Sequence, residues 1–288
     1  MRPARRSDPY LMLAPTLLLL ALFFLYPLAV AMRESLYRWD LLTPRVFVGG
    51  ANYRALLERG ELWRAARATL IYGALVVSGA MTLGLALALL LNRPGKLAAA
   101  VRSAVFSAYV VSWVAVALLF MSLLDADYGP VSRVARALGV NRLNWFADPK
   151  LALIALAAVS VWKVSGYATI VFLAGLQDIS PAVHEAAALD GAGALARFWF
   201  ITWPLLARST AFVGTTSLIM SFQAFDVVRI MTQGGPGHAT ELFVYAIYEQ
   251  VFMNLRVGRA SALVIVYLCI ILSLSALQLW VSSKRAVE

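Results

Sequence analysis

The sequence predicts an all-α polytopic membrane protein with about six transmembrane helices, from its composition and from the length of its apolar runs. Of 288 residues, 61% are hydrophobic and 14% charged. A soluble domain carries about 45–50% apolar and about 25% charged residues, so the chain departs in both directions. Too little polar surface remains to coat a water-soluble particle of this length, and lipid must solvate most of it. The runs are long and unbroken, as helices require, whereas barrel strands would alternate apolar and polar residues.

A helix needs roughly 20 apolar residues to cross about 30 Å of hydrocarbon. The qualifying runs are about Tyr10 to Met32, Ala68 to Leu91, Ser103 to Leu124, Leu151 to Leu176, Ser209 to Ile230 and Ala260 to Val281. This divides the chain into an anchor helix with an outer interfacial loop (1–67), a core transmembrane domain (68–282) and a short cytoplasmic tail (283–288). The first run continues through Tyr26-Pro27 without a small-residue cleavage site, so it reads as a retained anchor. The single cysteine, Cys269, lies in an apolar run and provides for neither a disulfide nor a cysteine metal site within the chain.

Net charge is +10, from 25 Lys and Arg against 15 Asp and Glu. The basic residues lie between apolar runs rather than in one stripe, so they report membrane topology and not nucleic-acid binding. An even number of spans puts both termini on one side. A raw count opposes termini inside, because Arg33, Arg38, Arg45, Arg54, Arg59, Arg64 and Arg67 crowd the first connection. Density favours it: Arg2, Arg5 and Arg6 precede the first span, Arg93, Lys96 and Arg102 fill a short connection, and Lys284-Arg285 close the chain. Short segments beside spans weigh most in the orientation rule, which places both termini in the cytoplasm.

The first outer connection carries Tyr53, Leu56, Leu57 and Trp63 at near-helical spacing from Asn52 to Arg67, as an interfacial helix with snorkelling arginines would. A similar pattern surrounds Val131, Val134 and Leu138, with Trp145 as an interfacial anchor.

The connection from about 177 to 207 differs from an ordinary loop. Ser180-Pro181 opens a run of strong helix formers, Glu185-Ala186-Ala187-Ala188-Leu189, which Gly191 and Gly193 interrupt before a second apolar stretch, Leu195 to Ile201, and Pro204. This spells helix, sharp glycine turn, helix: a knuckle with an apolar face at Ala186, Ala187 and Leu189 beside the charge of Glu185. Such a face suits docking in another protein's groove. The alternative is a segment lying on the inner leaflet, but those are usually rich in Lys and Arg, and this one sets Glu185 and Asp190 against Arg197.

These residues carry a resemblance. Glu185-Ala186-Ala187, Gly191, Ile201 and Pro204, at their spacing, resemble the EAA signature of permease subunits in binding-protein-dependent ABC importers. Asp190-Gly191-Ala192, Trp162-Lys163, Leu173-Ala174-Gly175-Leu176-Gln177 and Thr232-Gln233-Gly234-Gly235-Pro236 resemble the sugar and glycerol-phosphate branch, as do Asn52-Tyr53 and Asp127-Tyr128-Gly129. The departures are Ile179-Ser180 where the family has Ile-Pro, Trp203 where it has Leu, and Ala108 where it has Pro. The resemblance implies the type I ABC importer permease fold. It also implies a second permease subunit, a cytoplasmic ABC ATPase dimer and an extracytoplasmic solute-binding protein. Glu185 would be the charged ATPase contact, Gly191 the turn and Pro204 the junction with the fifth span, while ATP closure rocks the bundle between inward-open and outward-open. The cargo it implies is a sugar or sugar-like solute, or alternatively glycerol 3-phosphate or a related polyol phosphate.

An ionisable residue inside a span is a functional candidate, because facing lipid costs about 2.5–3.5 kcal/mol on insertion scales. Lys163 lies near the middle of the fourth span. In one reading Lys163, Trp162 and Tyr167 line a cavity and contact a sugar. In the other, Lys163 is a structural lysine bonded to backbone carbonyls or to an acid of the partner permease. Gln223 and Asp226, toward the outer end of the fifth span, complete the candidate path, with Asp226 and Arg229 spaced as an intrahelical pair. His184 and His238 fall on opposite sides of the membrane in this topology. The chain has no G-x-x-x-x-G-K-[ST] motif, so nucleotide must be bound by another chain, and no cofactor is expected. An intramembrane enzyme would need a base or clustered ligands within a span. A secondary transporter would need interrupted spans and carboxylates near the midplane.

Overall fold

The computed structural model describes residues 8–139 and 144–285; Arg2, Arg5 and Arg6 lie outside them. The chain divides into two compact units, one holding the described residues through Leu62 with Ala246–Cys269, the other Trp63–Tyr245 with the chain from Ile270.

In the first unit, α1 (Asp8–Leu20), a π-helical turn (Ala21–Leu25) and α2 (Tyr26–Glu34) form a helix whose segment Leu13–Glu34 is long and apolar enough to cross a membrane. From Leu13 to Pro27 its side chains are exposed, as lipid solvation allows. A two-stranded antiparallel ribbon follows, β1 (Tyr37–Arg38) on β2 (Val46–Phe47), then α3 (Ala51–Glu58). The helical spacing expected to run from Asn52 to Arg67 is real but belongs to two helices. The chain turns at Gly60, where φ is +68°, and α4 (Glu61–Leu91) begins. Asn52 and Tyr53 pin this unit. Asn52 Nδ2 donates to the carbonyls of Ser35 (2.8 Å) and Tyr37 (2.9 Å), and the Tyr53 hydroxyl donates to Ser35 Oγ (2.8 Å).

In the second unit, α4 packs on α8 (Pro149–Gln177), the most buried of the candidate spans. Asp148 starts α8 by accepting from the amides of Lys150 (2.7 Å) and Leu151 (3.1 Å). The two helices approach closely at Gly84: a Cβ there would lie 2.6 Å from Ala168 Cβ. Further along, the Tyr72 hydroxyl and Ser160 Oγ share a hydrogen bond of 2.6 Å, satisfying two polar groups where no water is at hand.

The third expected span, Ser103 to Leu124, is broken rather than continuous. It consists of α5 (Lys96–Val110) and α6 (Trp113–Leu123), bent by 101°, with Val111 and Ser112 both extended. Beyond it come the short α7 (Pro130–Ala137) and then α8. The helix after α8 is α9 (Pro181–Leu189), followed by α10 (Ala194–Arg197), a π-helical turn (Phe198–Thr202) and α11 (Trp203–Leu205). The run Ala194–Leu205 meets α12 (Ala207–Phe222) at 66°. The fifth expected span, Ser209 to Ile230, therefore stops at Phe222, and Asp226–Met231 forms a separate helix, α13, packed on α6 and α8. After α14 (Phe243–Tyr248) and a π-helical turn (Glu249–Met253), α15 (Val257–Arg285) completes the described chain. Among the described residues there are four helices able to span a membrane, or up to six if each bent pair is one span.

Candidate functional site

The knuckle predicted between the fourth and fifth spans is formed. Ser180 is extended at the N-cap with Pro181 in the first helical position, where its missing N–H costs nothing. The helix ends in a Schellman turn: the Ala192 amide donates to Ala187 O (2.9 Å), and the Gly191 amide donates to Ala188 O (3.1 Å). Gly191 occupies the left-handed position with φ +79°, which a side chain would strain by roughly 1–2 kcal/mol. Asp190 caps the helix, and its amide donates to Ala186 O (3.0 Å). Gly193 then caps α10, and its carbonyl accepts from the Arg197 amide (2.9 Å).

The exposed face is narrower than the spacing predicted. Glu185, Ala186 and Leu189 are exposed, Leu189 at 89%, while Ala187 turns inward at 8%. On the inner side, Leu176, Phe172, Leu206 and Val213 form a buried cluster, and Ile179, Phe198 and Trp203 pack against it. Trp203, a departure from the family pattern, is thus absorbed by an aromatic group, with Phe198 at 6.3 Å and Trp199 at 6.3 Å between ring centroids. Ile201 is half-buried and Pro204 exposed at the bend into α12. The chain on either side of the knuckle is therefore anchored, through Ile179 before it and Phe198 and Trp203 after it, to a buried cluster that includes the end of α8.

The structure gives the candidate substrate-path residues different surroundings. Lys163 is 2% exposed, and its Nζ donates to the main-chain carbonyls of Ala108 (3.3 Å), Tyr109 (2.8 Å) and Val111. These belong to the end of α5 and the break after it, where carbonyls lose their intrahelical donors. Trp113 and Tyr109 flank the ammonium at 5.0 and 5.8 Å. Of the two readings open for this lysine, the one with backbone carbonyl partners describes its surroundings. Tyr167 stacks on Tyr109 with centroids 5.2 Å apart, and Trp162, 40% exposed, meets Phe120 edge-on at 5.3 Å. Gln223 is exposed at the end of α12, and Asp226 is half-buried in the first turn of α13.

Sequence reasoning missed the break at Val111-Ser112, because no Gly or Pro marks it. The available signal was Lys163 itself: a mid-span ammonium needs acceptors, and an interrupted helix supplies them.

Long apolar helices, one broken pair among them, and a projecting helix-turn-helix knuckle fit a polytopic membrane protein. Residues 80–287 match the family of the binding-protein-dependent transport system inner membrane component. The chain is 33% identical over 93% of its length to the sulfoquinovosyl glycerol transport system permease protein SmoG of Agrobacterium fabrum, covering 88% of that protein. It is 32% identical over 96% of its length to the sn-glycerol-3-phosphate transport system permease protein UgpA of the same organism, covering 95% of it. It is also 32% identical over 96% of its length to the trehalose/maltose transport system permease protein MalF of Thermococcus litoralis, covering 94% of it. The crystal structure of a bacterial ABC transporter involved in the import of the acidic polysaccharide alginate shares the fold, with TM-score 0.81 and 22% identity over 96% of this chain and 94% of that one.

The chain belongs to the family of binding-protein-dependent transport system inner membrane components. It is a multi-pass permease subunit of an ABC importer with the type I fold.

Proposed function

We propose that this chain forms half of the translocation pathway for a sugar-like solute and is driven through its knuckle by a separate ATPase. The observation that carries the reading is the exposed pair Glu185 and Leu189 on a helix closed by the Gly191 turn and flanked by Ile179 and Phe198, which pack on the buried cluster at the end of α8. A rigid element joined to a central span transmits displacement, where a flexible loop would absorb it. Glu185, Ala186, Ala187, Asp190, Gly191, Ala192, Ile201 and Pro204 form the coupling segment, Ala187 being its buried member. A second permease subunit completes the pathway, a cytoplasmic ABC ATPase dimer receives the two knuckles and hydrolyses ATP, and an extracytoplasmic solute-binding protein delivers the cargo. Both termini are cytoplasmic, which puts the knuckle on the ATPase side.

The names of the relatives support a sugar, a sugar-like glycoside or a polyol phosphate as cargo. Trp162 and Tyr167 are the path residues with aromatic faces, and Gln223 and Asp226 the polar ones. Lys163 contributes by fixing the broken span beside them.

Purifying the tagged chain from host membranes and identifying what accompanies it tests the proposal. A second permease and an ATP-binding-cassette ATPase are expected, with uptake that requires ATP and the binding protein. A chain that comes alone and moves solute down an ion gradient overturns it.

A further inference from the structure

We infer that the first unit contains an oxyanion site, a pocket built to hold a phosphate group at the boundary between membrane and water. The pocket is a cavity of about 390 Å³, within the usual size of small-ligand sites. Its walls come from the segment after α2, from α3, and from the start of α15. Both flanking helices contain candidate spans, Leu13–Glu34 ending and Val257–Gln278 beginning beside it, so the pocket sits at the level of headgroups.

The chemistry of the wall is one-sided. Arg38, Arg256 and Arg259 line it against a single carboxylate, Asp40. That carboxylate is engaged elsewhere: Asp40 Oδ1 accepts from the Leu42 amide (3.1 Å), the Thr43 amide (2.7 Å) and the Thr43 hydroxyl (2.7 Å). Among the described residues none of the three guanidinium groups has a hydrogen-bonded or ion-paired partner, and Arg259 Nη1 is shut off from solvent with no acceptor. A buried unpaired donor costs about 1–3 kcal/mol, more when charged, so an acceptor is called for. α15 starts at Val257 and runs 29 residues, and the amides of Gly258 and Arg259 fall in its first turn, at the positive end of the helix dipole. Asn254 adds a neutral polar group to the lining, whereas the side-chain amide of Asn52 is already donated to the carbonyls of Ser35 and Tyr37.

Forked guanidinium donors matched to a tetrahedral oxyanion are the usual way proteins hold phosphate. A neutral sugar fits poorly: the aromatic ring in the wall, Trp39, already has Arg45 over its face at 4.2 Å. The phosphate group can be that of a lipid headgroup or of a free phosphate in solution.

The test uses the permease in its assembled complex, in nanodiscs of the phosphate-free lipid digalactosyldiacylglycerol alone or mixed with phosphatidylglycerol, with inorganic phosphate as the soluble probe. In digalactosyldiacylglycerol, phosphate should raise the melting temperature above that in chloride at equal ionic strength. Arg259→Gln should weaken that dependence by about tenfold or more, as loss of a charge-assisted hydrogen bond does. Asn254→Asp adds a carboxylate to the lining with almost no change of shape, and should do the same even if Arg259→Gln fails to fold. Arg93→Gln, in the connection after α4, should leave the response intact. If the occupant is a headgroup, phosphatidylglycerol raises the melting temperature and leaves phosphate nothing to add. If it is a free phosphate, the response persists in both lipids. No response in either lipid overturns the inference, as does an undiminished response in Asn254→Asp. Variants that lose only docking of the binding protein, with no phosphate effect, mark a protein contact and overturn it equally.

Discussion

Lys163 Nζ donates to the carbonyl of Tyr109 at 2.8 Å, joining residues 54 positions apart across the break between α5 and α6. In a bilayer, where water cannot serve the carbonyls freed by an interrupted helix, this contact lets the third span bend by 101° without proline or glycine. The bend places Trp113 and α6 against α8, so the lysine shapes the region that holds Trp162 and Tyr167.

Lys163→Met should therefore destabilise the protein as well as reduce transport. It keeps length and apolar bulk but strands the acceptors Ala108 O, Tyr109 O and Val111 O, at about 1–3 kcal/mol for a buried group left unpaired. Thermal unfolding of the purified subunit in nanodiscs measures the loss. An unchanged melting temperature with abolished uptake would return Lys163 to direct substrate contact.

Close packing at Gly84 gives a second expectation. Gly84→Val must push against Ala168, whose Cβ already lies 2.6 Å from where a Cβ at position 84 would stand. Overpacking typically costs about 1–3 kcal/mol. Gly84→Ala combined with Ala168→Gly exchanges the methyl groups and should recover most of the loss. A double variant as unstable as the sum of its parts would mean the helices are not held by this contact.

The long spans could be read from the sequence because lipid leaves one solution for an apolar run, a helix satisfying its own backbone. The knuckle could be read because Ser180-Pro181 and Gly191 are start and stop signals with a local cause. The break after α5 could not. Val111 and Ser112 have no intrinsic need to be extended, and their conformation is stabilised from Lys163, far along the chain. The end of the fifth span at Phe222 was hidden likewise, since Val227, Val228 and Met231 continue the apolar character and become buried as α13 instead. Within the coupling segment, the pattern marked Ala187 as part of the apolar face, whereas the folded chain buries it.

Orientation is checked by labelling. After Cys269→Ala removes the exposed native thiol, a cysteine at Ala194 should react with an impermeant maleimide only from the cytoplasmic side, and one at Gly237 only from outside. The reverse pattern would place the knuckle away from any ATPase and end the coupling proposal.

The turn at Asp40 should respond to pH. Hydrogen bonds from the Thr43 amide and hydroxyl hold the Asp40 carboxyl below its ordinary pKa. A depressed carboxyl stabilises the fold above its unfolded pKa, and that contribution disappears as pH falls through the folded value. Hydrogen exchange at Leu42 and Thr43, corrected for intrinsic rates, should show protection at neutral pH that fades in acid. Asp40→Ala should lack it throughout. Protection that survives acidification would show that the turn is held by something other than this carboxylate.

The knuckle gives the sharpest separation between folding and coupling. Gly191→Asn should be nearly silent, because Asn tolerates the left-handed conformation. Gly191→Pro should be severe, since it removes the amide that donates to Ala188 O and fixes φ near −65°, opposite in sign to the +79° required. Glu185→Ala touches an exposed side chain and should leave the melting temperature within about 0.5 kcal/mol of wild type in stability. If Glu185 is the charged ATPase contact, that variant inserts and folds normally, yet loses binding-protein-stimulated ATP hydrolysis and uptake. Gly191→Pro should in addition lose co-purification of the ATPase, because the whole face is displaced. The measurements are melting temperature, ATPase recovered with the tagged permease, and stimulated hydrolysis, made on the same preparations. Normal hydrolysis and co-purification in Gly191→Pro would separate the knuckle from coupling, whatever the family pattern implies.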